Sequence, residues 1–273
     1  MTAKPLILEV LWGPAQGRKA VVPVGGGAVV GTDKAAALRL DADSGLAPLH
    51  FKVLWDGAAA TVVALVPQET CLGGQPIIEA TAGHGGWVRA GSTDFVLSIE
   101  RHTPPAEPPT DAVQAAAAPV LAALHGEPGK LYAVLDAARA ERIATLLRES
   151  PAPYRSLYDG GPGDALLEVA PRLVALGQAP QLLEDLVHEG WERPWGVFLA
   201  APPDRDLEAV RRHLRKFLMV ELARDKVYFR FYDPRVFAAF VPTCAPAERR
   251  ELLGDMAWHV IDFHARRLVT FRA

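Results

Sequence analysis

A stretch rich in proline and alanine divides this chain and limits what it can fold into. Between Thr103 and Pro119 the prolines come early and the small residues late, which is the composition of a linker. An ordered loop of this length inside one domain is the alternative, but structureless loops beyond about 15 residues are uncommon in compact domains. We therefore predict a domain over residues 1–103, a linker over 104–119 and a second domain over 120–273.

Composition excludes several classes of protein. The 273 residues are 50% hydrophobic, enough for two cores. The net charge of -3 provides no broad basic field for nucleic acid or anionic membranes. No apolar run approaches the roughly 20 residues that span a bilayer, and the first run soon meets Glu9. We expect no signal peptide and no membrane insertion.

The two cysteines indicate a compartment. Cys71 and Cys244 are far apart and fall in different predicted domains, which favours a reducing environment over a disulfide framework. We predict a cytoplasmic protein.

The first domain has the pattern of an all-β sandwich. Short apolar runs are separated by clusters of glycine, proline and aspartate. The runs cover residues 6–11, 19–24, 28–31, 50–55, 60–66 and 95–100. The glycines after Val24 lack the spacing of a phosphate loop, so we interpret them as a turn between strands.

This first domain resembles a forkhead-associated (FHA) domain. The resemblance is carried by Val30-Gly31, Leu38-Arg39-Leu40, His50, Gly73-Gly74 and Trp87-Val88-Arg89-Ala90-Gly91. The FHA family holds phosphothreonine with two arginines, a serine and an asparagine. The corresponding positions here are Thr32, Ala47, Pro48 and Gly73.

Those substitutions change the chemistry of the phosphate pocket. Phosphothreonine carries about two negative charges and needs positioned cations or hydroxyl donors. Thr32 offers one hydroxyl, and the other three positions offer no side-chain donor. We predict a degenerate FHA-like domain that no longer reads phosphopeptides, although Lys34 or Arg39 could compensate.

The second domain alternates strand-like and helix-like segments, which predicts an α/β architecture. The pattern predicts a strand over Leu131–Leu135, a helix from Asp136 to Arg148 and a further strand over Trp195–Ala200. A further helix is expected after an N-cap signal at Asp204. Its apolar stripe consists of Leu207, Val210, Leu214, Phe217 and Leu218.

Three arginines lie opposite that apolar stripe. Arg211, Arg212 and Arg215 follow Glu208 by about one or two turns. They form either a solvated face with ion pairs worth roughly 0.2–0.5 kcal/mol each or a basic strip that binds an acidic partner. We favour the solvated face.

The segment Val227–Tyr232 alternates in the manner of a strand. We expect the stem of Arg230 to be buried between aromatic rings and its charge to pair with Asp233 or Asp159. Asp233 and Pro234 read as the N-cap and first residue of a helix, which leaves Arg235 free to face a partner.

Signatures of enzymes are missing from the sequence. It has no Gly-x-Ser-x-Gly elbow, no P-loop and no Cys-x-x-Cys pair. His259 and His264 lack the spacing of a helical zinc motif. We predict no catalytic residue, no metal and no cofactor.

Several sequence motifs of the second domain, in their order along the chain, resemble those of the effector-adaptor chaperones of bacterial type VI secretion. The matching positions are Tyr132, Asp136, Tyr158, Asp159, Gly160, Arg212, His213, Leu214, Arg215, Arg230, Asp233, Pro234 and Arg235. The resemblance implies a non-enzymatic cytoplasmic adaptor whose partners are a secreted effector, or toxin, and a VgrG-type spike protein. Its implied role is to assist loading of the effector onto the spike.

An adaptor of this kind needs arginine and aromatic anchors. Our candidates for partner binding are Arg211, Arg212, Arg215, Arg235, Trp191 and Trp195, and our candidates for a structural motif are Tyr158, Asp159, Gly160, Arg230, Asp233 and Pro234. Two alternatives stay open. A phosphothreonine-dependent signalling adaptor would need a pocket at Thr32, Lys34 and Arg39, and a hydrolase would need a deep polar cleft.

Overall fold

The computed structural model describes residues 3–12, 15–67, 69–158, 169–177, 179–222 and 225–273. The chain forms two compact units. Unit 1 contains the chain up to Pro104 together with Leu147–Pro153, and unit 2 contains Pro105–Leu146 and nearly all of the chain from Tyr154 onward. Among the described residues, no helix combines the length and the apolar character needed to cross a membrane.

Unit 1 is a β-sandwich, as predicted. Its strands are β1 (Leu6–Trp12), β2 (Lys19–Val22), β3 (Gly27–Gly31), β4 (Leu38–Arg39), β5 (Phe51–Trp55), β6 (Ala60–Ala64), β7 (Thr70–Leu72), β8 (Gln75–Pro76), β9 (Glu79–Ala82), β10 (Trp87–Ala90) and β11 (Thr93–Ile99). One sheet has the order β2-β1-β11-β10-β7-β8 and the other β4-β3-β5-β6-β9. The core forms where alternate residues of both sheets meet, with Phe51 edge-on to Phe95 at a centroid distance of 5.1 Å.

Each apolar run predicted as a strand in unit 1 contains one. Sequence reasoning missed the short strands β4 and β7–β10, whose two to four residues are too few for a clear period. The predicted turn after Val24 is present, because Gly25 adopts a φ of 75° and the Gly26 amide donates to the Pro23 carbonyl at 2.9 Å.

Unit 2 mixes helices and strands, as predicted. Its strands are β12 (Lys130–Leu135), β13 (Tyr154–Ser156), β14 (Arg172–Ala175), β15 (Gly196–Ala201), β16 (Met219–Leu222), β17 (Asp225–Tyr228), β18 (Ala257–Asp262) and β19 (Arg267–Phe271). Its helices are α1 (Asp111–His125), α2 (Glu141–Arg148), α3 (Pro180–Glu189), α4 (Leu207–Arg215), α5 (Pro234–Phe240) and α6 (Pro246–Leu253).

A six-stranded antiparallel sheet organises unit 2. Its order is β13-β14-β12-β15-β18-β19, and β16 and β17 form a separate hairpin. The core joins this sheet to α4 and α5 through Val210, Leu214, Phe237 and Trp258. Phe237 stacks on Trp258 with ring centroids 4.6 Å apart.

Part of the predicted linker is helical. Helix α1 begins at Asp111, and the hydroxyl of Thr110 accepts a hydrogen bond from the Val113 amide at 3.3 Å. Alanine has the highest helix propensity of all residues, so residues 111–119 propagate a helix despite the interior Pro119. Val120 and Leu124 are buried on its inner side.

Two local predictions for unit 2 need correction. The strand predicted over Val227–Tyr232 ends at Tyr228; the Phe229 amide still donates to the Leu218 carbonyl at 2.9 Å, and the chain then turns. The N-cap of α4 is Asp206, whose carboxylate accepts from the Ala209 amide at 2.7 Å, and not Asp204. The predicted cap at Asp233 and start at Pro234 are confirmed for α5.

Candidate protein-binding surface

Two buried aspartates lie at the centre of the candidate site in unit 2. Asp136 follows β12, and its amide donates to the Trp195 carbonyl at 2.7 Å, one step beyond the paired strands. Asp233 caps α5 and accepts from the Arg235 amide at 3.0 Å. Each carboxylate side chain is only 3% exposed. A buried carboxylate stays ionised only when charged or hydrogen-bonding partners compensate for its burial.

Arg139 bridges the two carboxylates. Its Nε donates to Asp136 Oδ2 at 3.2 Å, and its Nη2 donates to Asp233 Oδ2 at 2.8 Å. Arg139 is positioned by a turn in which its own amide donates to the Asp136 carbonyl. This single guanidinium therefore connects the end of β12 to the start of α5.

Two further arginines bind the outer sides of the same carboxylates. Arg230 donates from Nη2 to Asp136 Oδ2. Arg235 is bidentate on Asp233, with Nε at 3.0 Å from Oδ1 and Nη2 at 2.7 Å from Oδ2. The side chains of Arg230 and Arg235 are 45% and 64% exposed. The buried carboxylates therefore hold these guanidinium groups in place, and the groups remain accessible to solvent.

The electrostatics of this network follow from burial and pairing. Burial alone would raise the pKa of Asp233, but hydrogen bonds from Arg235 and the charge of Arg139 lower it below its ordinary value of 3.8. Its partner responds in the opposite sense, because the hydrogen bond to Asp233 raises the pKa of Arg235. Among the residues that the structure describes, three guanidinium groups face two carboxylates, so this network carries one positive charge in excess.

Aromatic rings lie next to Arg230. Its guanidinium carbon is 5.9 Å from the centre of the Tyr232 ring, a cation–π geometry. Tyr232 is itself buried, and burial together with a hydrogen bond to Tyr158 raises the pKa of its hydroxyl. Tyr158 also contacts Tyr228, with ring centroids 5.6 Å apart.

Large apolar side chains are exposed around the arginines. Tyr228 is 58% exposed and pairs with Met219 across the β16–β17 hairpin. Phe240 at the end of α5 contacts Phe229 at a centroid distance of 4.6 Å. We call the following residues the aromatic–arginine surface: Met219, Tyr228, Arg230, Arg235, Val236 and Phe240. Exposed apolar side chains next to fixed arginines are typical of interfaces between proteins.

The arginines predicted on α4 have different surroundings. Arg211 is half-buried, and its Nε donates to the Ser156 carbonyl at 2.7 Å, which attaches α4 to β13. Arg212 is exposed and Arg215 is half-buried. Glu208 accepts from Arg155 at 2.7 Å and lies 3.9 Å from Arg211. Arg211 therefore has a structural role, and the three arginines do not form one exposed strip.

The prediction of Trp191 and Trp195 as exposed anchors is wrong. They are 7% and 5% exposed. Trp191 packs edge-on against Phe263 with centroids 5.9 Å apart, and the Trp195 ring is so close to Gly190 that a Cβ there would lie 3.1 Å from it. Burial of a tryptophan side chain removes a large apolar area from water, which favours these core positions.

The prediction that Arg230 pairs with Asp233 is wrong. Arg230 pairs with Asp136 and not with Asp233, which binds Arg139 and Arg235 instead. Asp159, the other predicted partner, lies outside the described residues, as does Gly160. Sequence reasoning missed Arg139, Val236 and Phe240 as site residues, and the only available signal was the position of the latter two one turn apart on a short helix.

The loops of unit 1 that correspond to the phosphate pocket of the FHA family are joined to one another by hydrogen bonds. The Thr32 amide donates to the Ala47 carbonyl at 3.2 Å, and the buried His50 accepts from the Ala47 amide at 3.0 Å. Arg39 donates to the Thr32 carbonyl and lies 3.1 Å from Asp41. Lys34 is exposed. The guanidinium that could replace a phosphate ligand is thus already paired with a carboxylate.

His259 and His264, which lack the spacing of a zinc motif, lie in structural positions. His259 is fully buried in β18, with Nδ1 3.0 Å from Thr270 Oγ1 and Nε2 3.5 Å from Glu127 Oε1. Burial lowers its pKa, and the charge of Glu127 partly opposes that effect. His264 lies in the turn after β18, where its amide donates to Asp262 at 3.1 Å.

The two units together define a class of protein in which a β-sandwich is followed by a mixed α/β unit. The candidate site formed by the described residues of the α/β unit is a surface and not a deep cleft. Residues 131–251 match the family model described as a domain of unknown function, DUF4123. This match covers most of the sheet and both α4 and α5, and so includes Asp136, Arg230 and Arg235. No curated protein gives a significant match.

Several solved structures are similar to part of the chain. One FHA domain, described in connection with phosphothreonine-dependent interactions, is 23% identical over 35% of this chain and 97% of its own, with a TM-score of 0.32. The FHA domain of a Chlamydia trachomatis protein is 22% identical over 34% and 96% of the two chains, with a TM-score of 0.32. An FHA domain from Arabidopsis thaliana is 18% identical over 38% and 92%, with a TM-score of 0.34.

Proposed function

We propose that the chain is a non-enzymatic adaptor that binds a type VI secretion effector and assists its loading onto a VgrG-type spike protein. The observation that carries the proposal is the aromatic–arginine surface of unit 2. The positions through which the sequence resembles the adaptor chaperones of type VI secretion include Asp136, Arg230, Asp233 and Arg235. Arg230 and Arg235 belong to that surface, and the buried Asp136 and Asp233 hold them in place.

The physical demands on an adaptor fit such a surface. A carrier must bind its client specifically and then release it, which favours an interface of modest size with a few strong anchors. Arg230 and Arg235 are held by buried carboxylates, so they lose less conformational entropy on binding than mobile arginines would. Tyr228 and Phe240 add exposed aromatic area, the kind of contact that dominates binding energy.

Unit 1 takes the role of a second docking module in this proposal. A tethered second module raises the effective concentration of whatever it binds. Of Thr32, Ala47, Pro48 and Gly73, the positions that correspond to the phosphate ligands of the FHA family, only Thr32 offers a side-chain donor. We therefore expect unit 1 to bind no phosphothreonine peptide; micromolar binding of a phosphothreonine peptide library to the full chain would instead favour a phospho-dependent signalling adaptor.

The proposal is tested by capture of the effector encoded beside this gene. The full chain, tagged and co-expressed with that effector and with the spike protein, is expected to co-purify with both. The double variant Tyr228→Ala, Phe240→Ala should lose the effector, because it removes exposed aromatic area while leaving the buried core residues in place. Val169→Ala is the matched control, since Val169 is a 47% exposed apolar residue of unit 2 that is not part of this surface. Capture of the effector that survives the double variant, or that is lost equally with Val169→Ala, would contradict the proposal.

A further inference from the structure

We infer that the aromatic–arginine surface binds a carboxylate side chain of its partner, an aspartate or glutamate that lies next to an apolar residue. This inference rests on the proposed function, because it specifies the chemistry of the protein segment that the adaptor would hold. It follows from the charge, the remaining hydrogen-bond donors and the exposed apolar area of the site.

The charge of the network calls for one more anion. Arg139, Arg230 and Arg235 share the two carboxylates of Asp136 and Asp233. Within the described part of the chain, this leaves one positive charge without a matching carboxylate. The excess charge is directed outward, because Arg139 is the bridging and least exposed arginine while Arg230 and Arg235 are the outer pair.

The outer arginines also have donors left. A guanidinium group has five N–H donors in a planar fork. Arg235 uses Nε and Nη2 on Asp233, and Arg230 uses Nη2 on Asp136. Among the described residues, Nη1 of either side chain makes no hydrogen bond. Planar Nη donors match a carboxylate well.

A single carboxylate fits this site better than a phosphate group. A phosphate carries about two negative charges, which would exceed the single positive charge and repel the two aspartates. The exposed rings of Tyr228 and Phe240 define the second requirement. Tyr228 precedes Arg230 on the chain, and Phe240 lies on the helix that carries Arg235. An apolar residue next to the acidic one would cover these rings while its neighbour reaches the guanidinium groups.

A random copolymer of glutamate and tyrosine is a suitable probe, since it presents carboxylates beside aromatic side chains in many sequences. Fluorescence anisotropy of the labelled copolymer is measured with the full chain at low ionic strength. We expect Arg235→Gln to weaken binding about tenfold, the usual effect of losing a charged hydrogen bond. Arg235→Lys keeps the charge but loses the planar pair of donors, so its affinity for the copolymer should lie between those of the wild type and of Arg235→Gln.

Arg212→Gln is the matched control, because Arg212 is an exposed arginine of the same unit that lies on α4. It should leave the affinity unchanged. Equal weakening by Arg212→Gln and Arg235→Gln would mean unspecific attraction and would overturn the inference, as would no binding at millimolar concentration. Equal or tighter binding of a lysine–tyrosine copolymer, or of a phosphotyrosine version of the probe, would also overturn it.

The two proposals fail in different ways. If the neighbouring effector is captured equally by the wild type and by Arg235→Gln, the carboxylate inference falls and the adaptor role stands. If the copolymer binds as expected but neither effector nor spike protein is captured, the adaptor role falls and the surface chemistry stands. Far-ultraviolet circular dichroism of each variant excludes loss of the fold as the cause.

Discussion

Replacing Asp136 by asparagine tests whether the buried carboxylates hold the arginines in place. Asparagine preserves the shape of the side chain and one acceptor oxygen but removes the charge. Asp136 Oδ2 accepts from Arg139 at 3.2 Å and from Arg230, and its side chain is 3% exposed. The change therefore weakens two charged hydrogen bonds in a buried position.

The expected loss is set by those two bonds and by the exposure of the arginines. A hydrogen bond to a charged group contributes about 1.5–3 kcal/mol. The side chains of Arg139 and Arg230 are 32% and 45% exposed, so water compensates part of the loss. We expect the free energy of unfolding to fall by about 2–3 kcal/mol, which would lower the urea midpoint by roughly 1 M for a typical denaturant slope.

The assay is urea unfolding followed by tryptophan fluorescence, with Asp255→Asn as the matched control. Asp255 accepts from Arg205 at 2.8 Å, but both side chains are nearly half exposed. Its loss should leave the midpoint unchanged, because exposed ion pairs contribute little. The reasoning is refuted if the two variants shift the midpoint equally, or if Asp136→Asn does not shift it at all.

Three other expected outcomes concern buried ionisable groups. Lys19→Met leaves the fully buried Glu9 carboxylate without the ammonium group 3.3 Å away, so the free energy of unfolding should fall by about 3–5 kcal/mol; a thermal scan that shows no shift would contradict this. Burial lowers the pKa of His259 below 6.5, so as the pH falls the imidazole is protonated in the unfolded chain before it is protonated in the folded one, and stability should decrease below pH 6.5. In urea titrations at several pH values, the free energy of unfolding should depend less on pH for His259→Gln than for the wild type; the same dependence for both would count against this. Burial alone would raise the pKa of Asp43, but hydrogen bonds from Thr93 and from neighbouring amides lower it below 3.8. The ionised Asp43 should therefore stop stabilising the fold as the pH falls through that lower pKa, and Asp43→Asn should show no such loss in the same titration.

Local signals in the sequence were sufficient for much of the fold. The β-sandwich follows from short apolar runs between turn residues, and the cap at Asp233 follows from an Asp-Pro pair before a helical segment. The apolar stripe of α4 places Val210 and Leu214 in the core. Each of these features depends on residues within one or two turns of one another.

The composition of a segment predicted its structure less well than the packing of that segment against the rest of the chain explains it. Residues 111–119 read as linker because they are rich in alanine, yet alanine also favours helix, and packing through Val120 and Leu124 decided the outcome. Trp191 and Trp195 read as possible anchors, but the core of unit 2 had room for them. In both cases the deciding contact lies elsewhere in the chain.

The sequence by itself determined the two fold classes, the cap of α5 and the presence of arginines and aromatics in the second half, because these depend on spacing along the chain. Only the tertiary structure decided which charges meet. Arg230 and Asp136 are 94 residues apart, as are Asp233 and Arg139. Their pairing requires the end of β12 and the start of α5 to come together in one core, and no local pattern encodes that approach.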